Sequence, residues 1–208
     1  MTDFIIIGNM NAITYKEIFP YLKDNKMWLG YNHPHYFEVP LEKVEDEKKQ
    51  YEEGGKIYQA FGNICWFTNL EHNKRKEFIG LTKRYNSDDY PKYENYDAIE
   101  VSKVNNIPKD YDGVMGVPIS YLEKHSPKQF EILGMCDNED TWNLKTRKYT
   151  TEECKKAYID KFGKNGVYDL NASSVIVKDG KRHKTYARIL IRKVKELPTE
   201  EEVKNIAE

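Results

Sequence analysis

A strand, a helix and a second strand are indicated within the first 31 residues, and this order constrains the fold more than any other feature. Residues 4–7 are a continuous apolar run rich in isoleucine, closed by a Gly-Asn pair. An uninterrupted β-branched run predicts a strand buried on both faces, as in a parallel sheet. Thr14 and Glu17 have the spacing of a helix capping box, and residues 27–31 predict a second strand. Together they form a βαβ-like unit, which favours a parallel sheet.

The remaining pattern predicts four further elements. The first two are a charged surface excursion at residues 41–55 and a helix at 152–162 that ends at Gly163. The third is a hairpin around Asp179 and Gly180, which joins strands at 173–177 and 184–194. The fourth is a short acidic helix that begins at Thr199 and Glu202.

Charge and cysteine content limit the class of protein. The 208 residues carry a formal net charge of −1, from 33 basic and 34 acidic side chains. A dedicated nucleic-acid binder is often strongly basic, so this chain must concentrate positive charge locally if it binds DNA. Three cysteines without a close pair predict reduced thiols and a cytoplasmic location. The first residues resemble neither a signal peptide nor a membrane span.

Four strings carry the functional information when they are taken together and in order. They are IGNMNAITYKEIF at residues 7–19, ICWFTNL at 64–70, YPKYENYDAIEV at 90–101 and DYDGVMGVPI at 110–119. Over residues 4–195 the chain resembles the EcoRI-type adenine-specific DNA methyltransferases. The resemblance implies a Rossmann-like catalytic domain, S-adenosylmethionine as the methyl donor, and adenine N6 in duplex DNA as the acceptor.

The chain departs from that family at two motifs. In the family, an Asn-Pro-Pro-Phe motif just upstream of the first string holds the amine of the extruded adenine, and a glycine-rich cofactor loop precedes it. Neither occurs in these 208 residues. We therefore expect no catalytic residue in this chain and no S-adenosylmethionine bound to it alone, so that it would be inactive in isolation.

The expected fold class is α/β, or α+β overall. We predict a partial Rossmann-like methyltransferase sheet in residues 1–70 and an appended DNA-recognition region, with a C-terminal β-hairpin, in residues 71–208. The expected partners are duplex DNA and either the missing N-terminal methyltransferase segment or a second copy, paired at the exposed edge of the strand at residues 4–7.

The aromatic pair Trp66 and Phe67 is the candidate for stacking on a base. Enzymes that modify a base in a duplex turn it out of the stack and hold it against an aromatic ring. Neighbouring residues of a strand point to opposite faces, so one of the two is the stacking ring, and Phe67 is preferred. Both can instead be core residues. Asn9, Asn11 and Asn69 are candidate pocket residues, although turn formation also explains the first two.

Basic residues cluster in two places. The first cluster follows Asn69 and supplies the candidate DNA contacts Lys74, Arg75, Lys76 and Arg84. The second spans residues 178–195, with eight basic residues against Asp179 alone, and supplies Lys184, Arg188 and Arg192. Such residues can follow phosphates, or they can form a solvated strand face. No metal site is predicted, because His33 and His35 have no third ligand spaced to join them.

Two other functions remain open from the sequence. The chain can be a DNA-binding module without catalysis, or an inactive remnant or truncated piece of a longer enzyme. The DNA site it would read is not fixed by any string.

Overall fold

The structure is a computed structural model that describes residues 2–33 and 35–195. The chain divides into two compact units, residues 1–73 and residues 74–208. The first contains β1 (Ile5–Asn9), α1 (Phe19–Lys23), β2 (Trp28–Leu29), β3 (Tyr36–Val39), β4 (Gln50–Glu53), β5 (Lys56–Ala60) and β6 (Ile64–Thr68). The second contains β7 (Ile99–Glu100), β8 (Met115–Pro118), β9 (Phe130–Met135), α2 (Thr151–Phe162), β10 (Val175–Lys178), β11 (Lys181–Lys184) and β12 (Arg188–Lys193). The fold is α+β, with small sheets and few helices.

The first sheet of unit 1 has the order β1-β6-β2. Both outer strands are antiparallel to β6, with Gly8 opposite Cys65 and Leu29 opposite Phe67. The strands β1 and β2 therefore run in the same direction on either side of a reversed strand. Every pairing in this sheet is antiparallel, so the parallel sheet that the βαβ-like pattern favours is not formed here, although β1 and β2 do run in the same direction.

The predicted burial of the first strand is wrong. Ile5, Ile6 and Ile7 are 61%, 54% and 53% exposed. Among the described residues β1 pairs with β6 alone, so it is an edge strand and one row of its backbone groups has no neighbouring strand. A run of isoleucines on such an edge is unusual, because exposed apolar edges tend to pair with another chain.

The segment between β1 and β2 also differs from the prediction. Asn9, not Thr14, caps the next turn: its side chain accepts a hydrogen bond from the Asn11 amide at 2.8 Å, and a 3₁₀ helix follows at Met10–Thr14. The α-helix begins only at Phe19, because Pro20 is tolerated in a first turn and not further inside a helix. Buried Ile13, Phe19 and Leu22 contribute to the core of this unit.

The charged excursion at residues 41–55 supplies one strand, β4, to a second sheet of order β3-β5-β4, whose other two strands flank it. Gly54 and Gly55 connect β4 to β5 with φ values of +59° and +75°, a backbone conformation that glycine adopts at little cost. The rings of Tyr51 and Tyr58 stack with centroids 5.1 Å apart, and Tyr36 meets Tyr51 edge-on at 5.2 Å.

The main sheet of unit 2 has the order β7-β8-β12-β9. Strand β12 lies inside it, antiparallel to both β8 and β9. Its residues Ile189, Leu190 and Ile191 are all buried, since a central strand covered on both faces buries every side chain.

The hairpin around Asp179 and Gly180 is confirmed, with φ values of +53° and +70° at the turn. Its second strand, however, ends at Lys184. The predicted continuation to residue 194 belongs to β12 in the main sheet.

Helix α2 ends before Gly163 as predicted, and Gly163 adopts a left-handed conformation. Thr150 caps its start in a capping box with Glu153. The predicted helix at Thr199 lies outside the described residues. All three cysteines are buried and free, as the predicted reduced thiols require. Within residues 2–33 and 35–195, no helix is long and apolar enough to span a membrane.

Candidate functional site

A cavity of 490 Å³ opens in unit 1 on one face of the β1-β6-β2 sheet. It is lined by Ile5, Gly30, Tyr31, Asn32, Trp66, Thr68, Leu70, Glu71 and His72. Alternate residues of a strand point to opposite faces, so the Trp66 side of β6 borders the cavity while the Phe67 side faces the core. The lining combines an indole and a phenol with amide, carboxylate and imidazole groups.

Hydrogen bonds between β2 and the segment after β6 hold the cavity wall together. The indole Nε1 of Trp28 donates to the Leu70 carbonyl at 2.8 Å. His72 Nε2 lies 2.9 Å from the Leu29 carbonyl, and because a carbonyl can only accept, Nε2 carries the proton. The ring of His72 meets Tyr31 edge-on, with centroids 5.9 Å apart. These contacts fix the cavity before any ligand enters.

Gly30 brings the backbone of β2 close to the tryptophan. Its amide donates to the Trp66 carbonyl at 2.8 Å, and a Cβ atom at this position would lie only 2.7 Å from Cβ of Trp66. Any larger residue at position 30 would displace the indole, so the position of Trp66 depends on this glycine.

The two aromatic candidates lie on opposite faces of β6. Phe67 is only 5% exposed, and a Cβ atom at Gly8 would lie 2.9 Å from its ring. The phenylalanine therefore packs in the core over Gly8, and it does not line this cavity. Trp66 does.

The three candidate asparagines are not brought together. Asn9 and Asn11 form the turn at the carboxyl end of β1. Asn69 lies at the opposite end of that strand, where its Oδ1 accepts from the Phe4 amide at 2.9 Å and its Nδ2 donates to the Thr2 carbonyl at 3.1 Å. None of the three lines the cavity, and each has a local structural role.

The first basic cluster is only partly available for binding. Lys76 is exposed and Lys74 is half-buried, whereas Arg75 is buried and cannot reach a phosphate in this structure. Arg84 is exposed, and its Nη1 lies 3.6 Å from Asp110. The side chains of this cluster that are at least partly exposed are therefore Lys74, Lys76 and Arg84.

The two arginines among the candidates of the second basic cluster are paired with glutamates inside unit 2. Arg188 is buried and donates three hydrogen bonds to Glu100, of 2.7, 3.0 and 3.2 Å. Arg192 pairs with Glu131 at 2.7 Å, and Lys184 Nζ lies 5.4 Å from the ring centroid of Tyr168. Of these three candidate DNA contacts, Arg188 is therefore a core residue in this structure.

A buried tyrosine, Tyr93, also binds the glutamate of the Arg188–Glu100 ion pair. The hydroxyl of Tyr93 donates to Glu100, and burial and the charge of Glu100 raise the pKa of Tyr93 well above its ordinary value. At Gly116 a Cβ atom would lie 2.1 Å from the Tyr93 hydroxyl, so the glycine makes room for this arrangement.

A second network, which the sequence did not reveal, joins the hairpin β10–β11 to α2. Glu94 accepts from Arg182 at 2.7 and 2.9 Å and also binds Arg147 and Tyr149. The hydrogen bond from Arg182 contributes most to holding the pKa of Glu94 below its ordinary value. No sequence pattern links residues 94 and 182, because the pairing depends on the tertiary fold.

Residues able to hold a metal are not grouped in the described chain, where no three His, Cys, Asp or Glu side chains form a possible site. The rings of His33 and His35 stack on each other with centroids 4.7 Å apart.

Comparison with known proteins identifies the class of protein that this chain resembles. The chain is similar to DNA methyltransferases of type II restriction-modification systems. It is 45% identical over 141 residues to the type II methyltransferase M.EcoRI of Escherichia coli, covering 62% of this chain and 42% of that protein. It is 34% identical over 198 residues to M.MgeORF184P of Mycoplasma genitalium, covering 92% and 57%. It is 38% identical over 158 residues to M.MpnI of Mycoplasma pneumoniae, covering 71% and 49%.

The family follows from the match to residues 1–194 of the family described as adenine-specific methyltransferase EcoRI. The chain belongs to that family. It spans about half the length of the curated relatives that it matches. No solved structure matches it.

Proposed function

We propose that this chain is the C-terminal part of an S-adenosylmethionine-dependent DNA adenine-N6 methyltransferase of a restriction-modification system, and that it supplies a base-binding wall and DNA contacts. One observation carries the proposal: Trp66 lines a cavity on a sheet whose central strand is reversed between two strands of one direction. A reversed strand near one edge is also a feature of the methyltransferase sheets that the family resemblance implies.

The cavity suits a flat, partly polar ligand. Its 490 Å³ lies within the range of about 300–1,000 Å³ that is usual for small-molecule sites. The indole of Trp66 offers a stacking surface, and the amide of Asn32 and the carboxylate of Glu71 offer hydrogen-bonding groups that the polar edge of adenine can pair with.

The described residues do not form a cofactor cradle. Space beside Gly8, at the carboxyl end of β1, is filled by the ring of Phe67, and the next α-helix has only five residues. S-adenosylmethionine therefore does not fit here, and we assign no step of methyl transfer to this chain.

The edge of β1 is the proposed site of assembly with the remaining methyltransferase segment. Its backbone edge and its exposed Ile5, Ile6 and Ile7 suit the addition of another strand, in which main-chain hydrogen bonds supply affinity and side chains supply specificity. A second copy of the chain is the other candidate. Sedimentation of the chain with and without that segment distinguishes them.

Replacing Trp66 with alanine should weaken binding of an extrahelical adenine. Loss of one stacking ring costs about 1–3 kcal/mol, or roughly a 5- to 150-fold decrease in affinity. The probe is a duplex with a single bulged 2-aminopurine, whose emission falls when it stacks on the indole. Trp66→Phe should retain most of the quenching.

Phe67→Leu is the matched control, because it alters a neighbouring ring on the opposite face of β6. It should leave quenching unchanged while lowering stability. Quenching that survives in Trp66→Ala and disappears in Phe67→Leu would contradict the proposal.

Replacing Lys74 and Lys76 together with alanine should reduce the salt dependence of duplex binding. Removing one phosphate contact lowers the slope of log affinity against log salt by roughly 0.9. Fluorescence anisotropy over a series of salt concentrations measures the slope. Because Trp66 carries no charge, Trp66→Ala should leave it unchanged. A double variant with the slope of the wild type would remove these lysines from the DNA surface.

A further inference from the structure

Tyr186, between β11 and β12, is 90% exposed. Burying a large apolar side chain supplies about 1.5–3 kcal/mol, and at this position almost none of that is gained. The ring therefore does little for the stability of unit 2.

The backbone that carries this exposed ring is held firmly. The carbonyl of Tyr186 accepts hydrogen bonds from Ser173 Oγ at 3.1 Å, from Thr185 Oγ1 at 2.8 Å and from Arg188 Nη1 at 3.4 Å. The Thr185 amide donates to the Ser174 carbonyl at 2.9 Å. Ser173, Ser174 and Arg188 are buried, so the anchor points belong to the core.

An anchored backbone with a projecting aromatic ring has little conformational entropy to lose on binding. Only the two side-chain torsions of the tyrosine remain to be fixed, which is why tyrosine makes contacts at low entropic cost. A flexible loop would lose much more.

The chain just before Tyr186 carries positive charge. Lys178 and Lys181 are exposed near the tip of the hairpin β10–β11, and Lys184 is half-buried closer to the ring. In the same hairpin the acidic residue is Asp179. A projecting, anchored ring that follows a hairpin with exposed lysines suits a polyanion with flat apolar faces, and duplex DNA is such a ligand.

We propose that Tyr186 is a wedge that inserts between base pairs of duplex DNA where a base has left the stack. The inference rests on the proposed function, since a base turned out for modification leaves a gap. Opening a step loses base stacking, and an aromatic ring that fills the gap regains part of it. The lysines of the hairpin would contact phosphates and hold the ring at the gap.

The test compares two 20-base-pair duplexes, one intact and one with a single tetrahydrofuran abasic site, by fluorescence anisotropy on the full chain. The wild type should prefer the abasic duplex by about 10-fold, equivalent to about 1.4 kcal/mol. Tyr186→Ala should remove that preference while leaving the affinity for intact duplex and its salt slope unchanged. Tyr186→Phe and Tyr186→Trp should keep the preference.

Two controls establish whether the Tyr186 ring itself produces the preference. Thermal unfolding of Tyr186→Ala should match the wild type, because the ring is exposed. A duplex with abasic sites at both positions of the pair should be preferred as strongly, which excludes stacking of the unpaired opposite base on the indole as its source.

The outcomes are distinct. A wild type that binds duplex DNA without an abasic preference, or a Tyr186→Ala variant that keeps it, overturns the wedge alone. A wild type that binds neither duplex overturns the proposed function as well. A Tyr186→Ala variant that changes self-association in sedimentation, with both DNA affinities unchanged, assigns the ring to a protein contact and overturns the wedge.

Discussion

Replacing Glu100 with glutamine is expected to lower the free energy of unfolding by about 3–5 kcal/mol, because it leaves Arg188 as a buried charge without a counter-charge. The two side chains are only 8% and 11% exposed, and they approach to 2.7 Å. Domains of this size are usually stable by about 5–15 kcal/mol, so the loss is a large share of the total. Urea unfolding followed by circular dichroism measures it.

The matched control for the buried pair is Glu38→Gln. Glu38 pairs with Lys56 at 2.9 Å, and both side chains are more than half exposed, so solvent screens the pair and removing it should leave the free energy of unfolding nearly unchanged. The double variant Glu100→Gln with Arg188→Met should recover part of the stability, since it removes the unpaired charge. Equal losses for Glu100→Gln and Glu38→Gln would show that the pair is not buried as described.

Acid should destabilise unit 2 through His125. Burial lowers the pKa of His125 to about 3, and the positive charge of Arg75 acts in the same direction. Its Nδ1 lies 2.9 Å from the Tyr121 hydroxyl. Above pH 6.5 the ring is neutral in both the folded and the unfolded protein. Below that pH the unfolded chain binds a proton that the folded chain does not, so stability is lost as the pH falls towards 3.

The expected size of the effect is large. Between about pH 6.5 and pH 3 the loss reaches about 4–5 kcal/mol, at about 1.4 kcal/mol for each pH unit. Chemical denaturation at a series of pH values gives the slope. His125→Gln should flatten it by about one proton between roughly pH 6 and 4.5. His183→Gln, at a partly exposed site of the same unit, controls for the loss of an imidazole. Parallel slopes for the wild type and His125→Gln would contradict the prediction.

Several elements were determined by the sequence alone because their causes are local. The apolar run before Gly8 forms β1, the Asp179-Gly180 pair forms a hairpin turn, and α2 stops where Gly163 adopts a left-handed conformation. The family was also identified from four short strings, and the comparison over residues 1–194 confirms it. Patterns of this kind depend on neighbours within a few residues.

Burial was decided only by the tertiary structure. Alternation along β6 places Trp66 and Phe67 on opposite faces, but it cannot say which face is covered. The tertiary structure decides it: Phe67 is 5% exposed and its ring lies over Gly8, whereas Trp66 lines the cavity. In the same way, an apolar run can lie inside a sheet or at its edge, and in the described chain β1 has one partner strand.

The sequence also could not predict which charged side chains form ion pairs. Arg182 and Arg188 appeared as two members of one basic cluster, yet each binds a glutamate 88 residues away. Coulomb energy depends on the distance in space and on the surrounding dielectric, and neither is encoded in spacing along the chain. Exposure is also decided by the tertiary structure. Lys76 and Tyr186 remain on the surface because no other element of the described fold covers them.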